Sequence, residues 1–161
     1  MGLGFYSAQA GHWVPLIGPV DETGGKTSTP IALKMYAHAS ILIAIGVSAA
    51  APGAVTLNAC TDNTGATAVA IPFNVFKAET GIGNAGSDVL SAKVAVTAAG
   101  FTPVATDGIF YVIEIDAQAL PQGYPYLQLV EADTTNSVID FAVALLSGAR
   151  QASDQSASVL L

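Results

Sequence analysis

Short apolar runs separated by polar turns follow one another along most of the chain, which is the hydrophobic pattern of β-strands. Ile41, Ile43, Ile45 and Val47 recur at every second position, so they are expected to share one face of a strand. Clusters of Gly, Pro, Asn and Asp bound the runs. The pattern predicts strands over residues 27–36, 41–47, 55–60, 67–76, 89–96, 100–104, 110–116, 126–130 and 138–146.

The number and spacing of these strands predict an all-β fold, and a single-domain, jelly-roll-like β-sandwich is the first choice within that class. Pro72 interrupts one of the runs and indicates an edge strand or a bulge at that point. A turn is expected at residues 62–65, Asp-Asn-Thr-Gly. Helix is expected only as single turns, at residues 116–120 and near residues 87–91.

The composition indicates a chain that buries apolar surface against other subunits. Of its 161 residues, 52% are hydrophobic and only 11% are charged, against about 25% charged in an average soluble protein. A chain of this length buries a core of its own, but few charged groups remain to cover its surface. Large exposed apolar patches usually mark interaction sites. We therefore expect a homo-oligomer or a component of a lattice.

Nucleic acid and membranes are not expected as partners. The net charge is −7, with 12 acidic residues against five basic ones that form no patch in sequence, whereas affinity for nucleic acid depends on clustered Lys and Arg. The uncharged stretch at residues 39–55 is interrupted by Gly46, Pro52 and Gly53. It therefore falls short of the roughly 20 strongly apolar residues of a membrane-spanning helix.

The sequence offers few residues for catalysis or metal binding. Cys60 is the only cysteine and is predicted to be a small buried side chain, because no activating partner lies near it in sequence. His12 and His38 supply too few ligands for a metal site. No catalytic residue, no cofactor and no metal site is therefore predicted, and the protein is not expected to be an enzyme.

Three motif-like strings are better explained by structure than by chemistry. Residues 81–86 match G-x-G-x-x-G but lack the strand and long helix of a dinucleotide site, and residues 24–27 read as a hairpin turn rather than a P-loop. Glu114 and Asp116 lie two apart on one strand, where paired carboxylates can serve hydrolysis or metal binding. Alternate charges more often mark the solvated face of a strand, with the core-facing positions expected at Tyr111, Ile113 and Ile115.

The two ends of the chain depart from the strand pattern. We predict an N-terminal arm over residues 1–20, the sandwich domain over residues 21–150 and a C-terminal tail over residues 151–161. Both ends carry large apolar or aromatic side chains, and such residues are enriched among the anchors of protein interfaces. The predicted partner contacts are Phe5, Tyr6, Trp13, Val159, Leu160 and Leu161.

The segment from Phe110 to Arg150 resembles a recurrent pattern in virion structural proteins of tailed bacteriophages. It combines a strand ending in EIDA, the string GYPYLQL and an apolar strand closing on LSGAR. Two earlier segments are similar to the same proteins in the same order. They are residues 25–47, which contain a hydrophobic-K-x-Y string at residues 33–36, and residues 54–73, with VTL followed by a D-x-x-G turn.

The resemblance implies a non-enzymatic capsid decoration (cement) protein located on the outer surface of the phage head. Such a protein would bind the major capsid protein and itself, as a homo-oligomer, with a trimer suited to sites of local threefold symmetry. Because many copies bind the same lattice, their individually modest contacts would add up to strong overall binding of the shell. The alternatives are another virion role, as a head fibre, tail or head–tail connector component, and a carbohydrate-binding jelly-roll module.

Overall fold

The computed structural model describes residue 7 and residues 11–48, 51–77 and 89–149, and this part of the chain is almost entirely β-structure. A 3₁₀ turn, Ala117–Ala119, follows the ninth strand. The strands are β1 (His12–Asp21), β2 (Lys26–Thr27), β3 (Ile31–Ala32), β4 (His38–Ser48), β5 (Val55–Cys60), β6 (Ala68–Ile71), β7 (Phe73–Lys77), β8 (Val94–Val96), β9 (Ile109–Asp116), β10 (Tyr126–Glu131) and β11 (Val138–Ser147).

The strands form two antiparallel sheets that pack against each other as a β-sandwich. The six-stranded sheet has the order β1-β11-β4-β9-β7-β8. The five-stranded sheet has the order β2-β10-β5-β6, with β3 also paired to β10. The prediction of an all-β sandwich is confirmed, while the jelly-roll topology stays a prediction.

One hydrophobic core fills the space between the sheets. Ile41, Ile43 and Ile45 of β4 are at most 2% exposed, as their period of two predicts. Val47 was expected on the same face but is 69% exposed. The pairing of β4 with β11 shifts register between Val138 and Asp140, and such a bulge inverts the alternation of the residues beyond it.

Pro72 marks the corner at which the chain leaves one sheet for the other. The predicted strand at residues 67–76 divides there into β6, at the edge of the five-stranded sheet, and β7, in the six-stranded sheet. Because proline has no N–H to donate to a ladder, a change of sheet suits its position.

Three of the strand predictions differ from the structure. The predicted strand at residues 27–36 is reduced to the two-residue strands Lys26–Thr27 and Ile31–Ala32. Residues 100–104 do not form a strand, because Gly100 has a positive φ of 78° and Pro103 lacks an N–H. Only Phe101 makes a bridge there, with Val55. The predicted strand at 89–96 is reduced to Val94–Val96.

The predicted boundary at residue 20, between the N-terminal arm and the sandwich domain, falls within strand β1. His12–Asp21 is β1, which pairs with β11 along the edge of the six-stranded sheet. Residues 1–6 of the predicted arm, the glycine-rich segment at 81–86 and the predicted tail at 151–161 lie outside the described residues.

Candidate functional site

The solvent-facing side of the six-stranded sheet, called the outer face below, is unusually apolar. A line of five directly opposed residues, the apolar row, crosses it from strand to strand. Each member is the register partner of the next in the pairings of β1 with β11, β11 with β4, β4 with β9 and β9 with β7. The apolar row consists of Pro15, Val143, Leu42, Val112 and Phe76.

The next outward-facing positions of the same strands are also apolar. Phe141 of β11 lies opposite Ala44 of β4, which in turn lies opposite Phe110 of β9. Phe141 is 36% exposed, and Ile139 on the same strand is 41% exposed. The inward-facing positions of these strands already fill the core, so the sheet carries apolar side chains on both of its faces.

Trp13 places one of the predicted contacts at the edge of this surface. It lies in β1 opposite Leu145 and is 45% exposed, so a bulky aromatic side chain is available to a partner. The other five predicted contacts, Phe5, Tyr6, Val159, Leu160 and Leu161, lie outside the described residues.

The outer side of the five-stranded sheet has a different character. Its outward positions include the opposed polar pair Gln128 and Asn58, and Thr56 opposite Val130. Gln128 is itself buried, donating from Nε2 to the carbonyl oxygen of Ser28 at 3.1 Å. The apolar surface is therefore a property of one side of the sandwich and not of the whole molecule.

His38, Ser40, Glu114 and Asp116 form a polar cluster, the His38 cluster, at one end of the outer face. His38 lies opposite Asp116 and Ser40 lies opposite Glu114 in the pairing of β4 with β9. The Nδ1 atom of His38 is 2.7 Å from Asp116 Oδ1, and its Nε2 contacts Glu114 Oε2. Ser40 Oγ donates to the same Glu114 oxygen at 2.7 Å.

This geometry favours a structural role for His38, as a link between β4 and β9, over a catalytic role. Both ring nitrogens of His38 engage carboxylates, so neither is free to take a proton from Ser40, as a Ser-His-Asp arrangement requires. Glu114 and Asp116 face away from the core, as predicted. The alternate positions of the same strand, Tyr111, Ile113 and Ile115, are the buried ones.

The His38 cluster predicts a pH-dependent contribution to stability. Burial disfavours the charged imidazole, but the hydrogen bonds to Asp116 and Glu114 outweigh it and raise the pKa of His38 above 6.5. The contribution is therefore complete below pH 6.5 and is lost as the pH rises through the raised value. Because the side chain is about a third exposed, its size should stay under about 1 kcal/mol.

The measurement is the free energy of unfolding by urea for the wild type and for His38→Gln. The difference between the two proteins should be larger at about pH 5.5 than at about pH 8.5, on either side of the histidine titration. An equal difference at both pH values would show that the ion pairs contribute nothing to stability.

Glu22, Glu131 and Asp140 form a second polar group, the carboxylate cluster, inside the sandwich. These residues are 1%, 2% and 3% exposed, and one carboxylate oxygen from each lies within 4.8 Å of the others. Glu131 ends β10 in one sheet and Asp140 belongs to β11 in the other. Glu22 follows the end of β1, where its backbone N–H donates to Val138 O at 2.9 Å.

Burial controls the electrostatics of this cluster. It raises the pKa of Glu22 to about 7 and that of Glu131 to about 9, and the negative charge of Asp140 adds to both shifts. Burial also raises the pKa of Asp140 itself. The three carboxylates share a site that disfavours three negative charges at once.

Sequence reasoning missed the carboxylate cluster, although part of the signal was present. Asp140 occupies the core-facing register of β11 with Val138 and Ala142. Glu131 follows Leu127 and Leu129 at the same two-residue spacing on β10, where both leucines are buried. Charged residues at core-facing positions of a strand are rare unless they are paired or bind a ligand.

Two smaller features lie elsewhere among the described residues. Cys60 is fully buried, as predicted, and burial raises the pKa of its thiol. An open cavity of about 300 Å³ lies beside the 3₁₀ turn, lined by Leu33, Lys34, Leu120, Tyr124 and neighbouring residues. Its lining brings together no set of catalytic side chains.

Comparison with known proteins finds no family model, no curated protein and no solved structure that matches the chain. Within the part of the chain that the structure describes, no helix has the length and apolar character needed to cross a membrane. Function is therefore inferred from the outer face and from the two polar clusters.

Proposed function

We propose that the chain is a non-enzymatic structural subunit that assembles with copies of itself through the outer face of its six-stranded sheet. The observation that carries the proposal is the apolar row, which crosses five strands without a charged side chain. A strand that is apolar on both faces normally lies between two packed layers. The sandwich supplies one of these layers, and a second subunit would supply the other.

A second copy of the chain is the occupant that fits best. Sheets pack face to face when both surfaces are apolar and twisted in the same sense, which two copies of one sheet satisfy automatically. Homo-oligomers of this kind are closed by symmetry, and their interfaces are more apolar than those of transient complexes. The low charged fraction of the chain, 11%, supports the same interpretation.

We further propose that the assembled protein decorates the head of a tailed bacteriophage. Support comes from the resemblance of residues 110–150 to virion structural proteins and from the all-β sandwich. The strand order supports the predicted jelly roll, since β1 lies beside β11 and β2 beside β10. Many copies on a capsid lattice would bind the major capsid protein with an avidity that no single contact provides.

A carbohydrate-binding module is the alternative from another class. It would use exposed aromatic rings on one sheet face, and Trp13, Phe110 and Phe141 do lie on the outer face. Sugar recognition also requires polar groups placed among the rings. Between these rings lie Leu42, Ala44 and other apolar residues, so a protein surface is the better partner.

Electron cryo-microscopy of the native particle tests the proposed location. We expect β-sandwich density in many symmetry-related copies on the outer surface of the head, because avidity requires repetition. A few copies confined to the tail or to the head–tail junction would favour one of the other virion roles. Absence of the chain from purified particles would contradict a virion function altogether.

A further inference from the structure

The carboxylate cluster joins three separate parts of the sandwich at one end of its core. Glu131 comes from the five-stranded sheet, Asp140 from the six-stranded sheet and Glu22 from the connection that passes from β1 to β2. The connection is itself fixed, because Gly25 N donates to Glu22 O at 2.8 Å. The three side chains therefore meet between the sheets and not on a flexible surface loop.

The oxygens that face one another have almost no protein donors. Both carboxylate oxygens of Glu131 and Oδ1 of Asp140 are fully buried and accept no hydrogen bond from an N–H or O–H donor of the described residues. Only a proton shared between the Glu131 and Asp140 carboxyls could join them by a hydrogen bond. Glu22 Oε2 has only a long contact of 3.4 Å with the backbone N–H of Gly53. Buried polar atoms are nearly always satisfied in native proteins, so a group of unsatisfied acceptors indicates a missing positive partner.

No described side chain supplies that positive charge. The positive charge of Lys26 partly offsets the rise in the pKa of Glu131, but the Nζ atom of Lys26 donates to the carbonyl oxygen of Thr23 at 3.2 Å. Among the described side chains, no Lys or Arg nitrogen lies within 4 Å of the three carboxylates, since the only ion pairs are those of His38. Negative charge this deeply buried has to be neutralised by protons or by a bound cation.

We propose that Glu22, Glu131 and Asp140 bind a hard divalent cation, with Ca²⁺ as the best fit, between the two sheets. An all-oxygen donor set selects Ca²⁺ or Mg²⁺ over zinc and other softer metals. Ca²⁺ accepts carboxylates in mono- or bidentate fashion with flexible geometry. Mg²⁺ keeps several of its waters, which a site only 1–3% exposed disfavours.

The cation would stabilise the end of the sandwich at which the chain crosses from one sheet to the other. It links β10 with β11 across the core and ties the start of the β1–β2 connection to both. Because such a site exists only in the folded chain, binding free energy becomes folding free energy. The cluster would thus make the stability of the subunit depend on the calcium concentration of its surroundings.

The full-length protein, stripped with a chelator and dialysed at neutral pH, is the material for the test. Titration calorimetry with CaCl₂ should show one binding event per chain. Thermal unfolding should shift upward by roughly 5–10 °C at a calcium concentration about 100 times the dissociation constant. MgCl₂ should give a smaller shift at the same concentration.

Glu131→Gln and Asp140→Asn are the informative variants, because each keeps the size of the side chain and removes one charged ligand. Both should lose most of the calcium-dependent shift. Asp107→Asn is the matched control: Asp107 is exposed, and its Oδ1 accepts the Ser48 N–H, a bond that Asn can also accept. The control should keep the full calcium response.

The proposal is overturned if the wild-type protein shows neither heat of binding nor a change in melting temperature at millimolar calcium. The cluster would then be neutralised by protons, one of them shared between Glu131 and Asp140. An undiminished response in both variants would overturn it as well, since the calcium would then bind elsewhere. The wild-type titration decides the question even if a variant fails to fold.

Discussion

Gly53→Ala is expected to lower the free energy of unfolding by about 3 kcal/mol or more. Gly53 is buried where the chain approaches β5, and a Cβ atom added there would lie 1.9 Å from the carbonyl oxygen of Ala132. The obstructing atom belongs to the backbone just after β10, so no side-chain rotation relieves the clash. Urea denaturation followed by circular dichroism measures the loss.

Gly18→Ala is the matched control, because it makes the same chemical change at a glycine with no heavy atom within 4 Å of the added Cβ. Its effect should stay within about 0.5 kcal/mol. If Gly53→Ala is as stable as the control, the close approach of residue 53 to Ala132 is not a feature of the folded protein. The position of the carboxylate cluster next to it would then also be in doubt.

Val112→Lys is expected to weaken self-association by roughly 100-fold or more, because it places an unpaired charge in the centre of a desolvated interface. Val112 lies within the apolar row, between Leu42 and Phe76. The side chain of the isolated subunit faces solvent, so folding itself should lose only about 1 kcal/mol. Sedimentation velocity gives the association constant and urea denaturation gives the stability.

Val130→Lys makes the same change on the other side of the sandwich. Val130 is also a partly exposed valine of an interior strand, opposite Thr27 and Thr56. Its association should match that of the wild type. Dissociation by Val130→Lys with no effect of Val112→Lys would move the interface to the five-stranded sheet.

The strands with the strongest alternation could be predicted from sequence. Val55–Cys60 was predicted with both of its boundaries, and β9, β10 and β11 were each predicted to within one residue at either end. Alternation identifies these strands because their buried positions carry large aliphatic or aromatic side chains, as in Ile109, Tyr111, Ile113 and Ile115. Gly and Pro residues mark the turns between these strands.

Sheet membership could not be predicted, because it depends on contacts between distant segments. The run around Pro72 looked like one interrupted strand, and only the fold shows that its halves belong to different sheets. The exposure of Val47 depends on a register shift against β11, which no local pattern records. Local propensity describes a strand but not its neighbours.

The outer face was visible in the sequence only as an excess of apolar residues. Runs such as Ile41–Ile45 and Phe141–Leu146 carry no polar residue at the positions that face away from the core. That pattern is typical of strands covered on both sides. Their alignment into a continuous row depends on the register of five strands, so the surface could be located only in the folded chain.

The carboxylate cluster shows even more clearly that a local sequence pattern does not reveal contacts between distant segments. The inward positions of Glu131 and Asp140 follow from period-two spacing with buried neighbours, which sequence alone could have supplied. Glu22 lies in a connection without periodicity, far away in the chain. Its convergence with the other two carboxylates is a consequence of the topology.

The mass of the full-length protein in solution tests the central claim, assembly through the outer face, most directly. Light scattering over a range of micromolar concentrations should give a constant mass that is a multiple of the 16.2 kDa chain. Two chains would correspond to outer faces packed on each other, and three chains to the trimer that the resemblance to decoration proteins implies. The Val112→Lys variant should shift that mass toward one chain under the same conditions. A wild-type protein that stays soluble as a single 16.2 kDa chain at every concentration would contradict the claim.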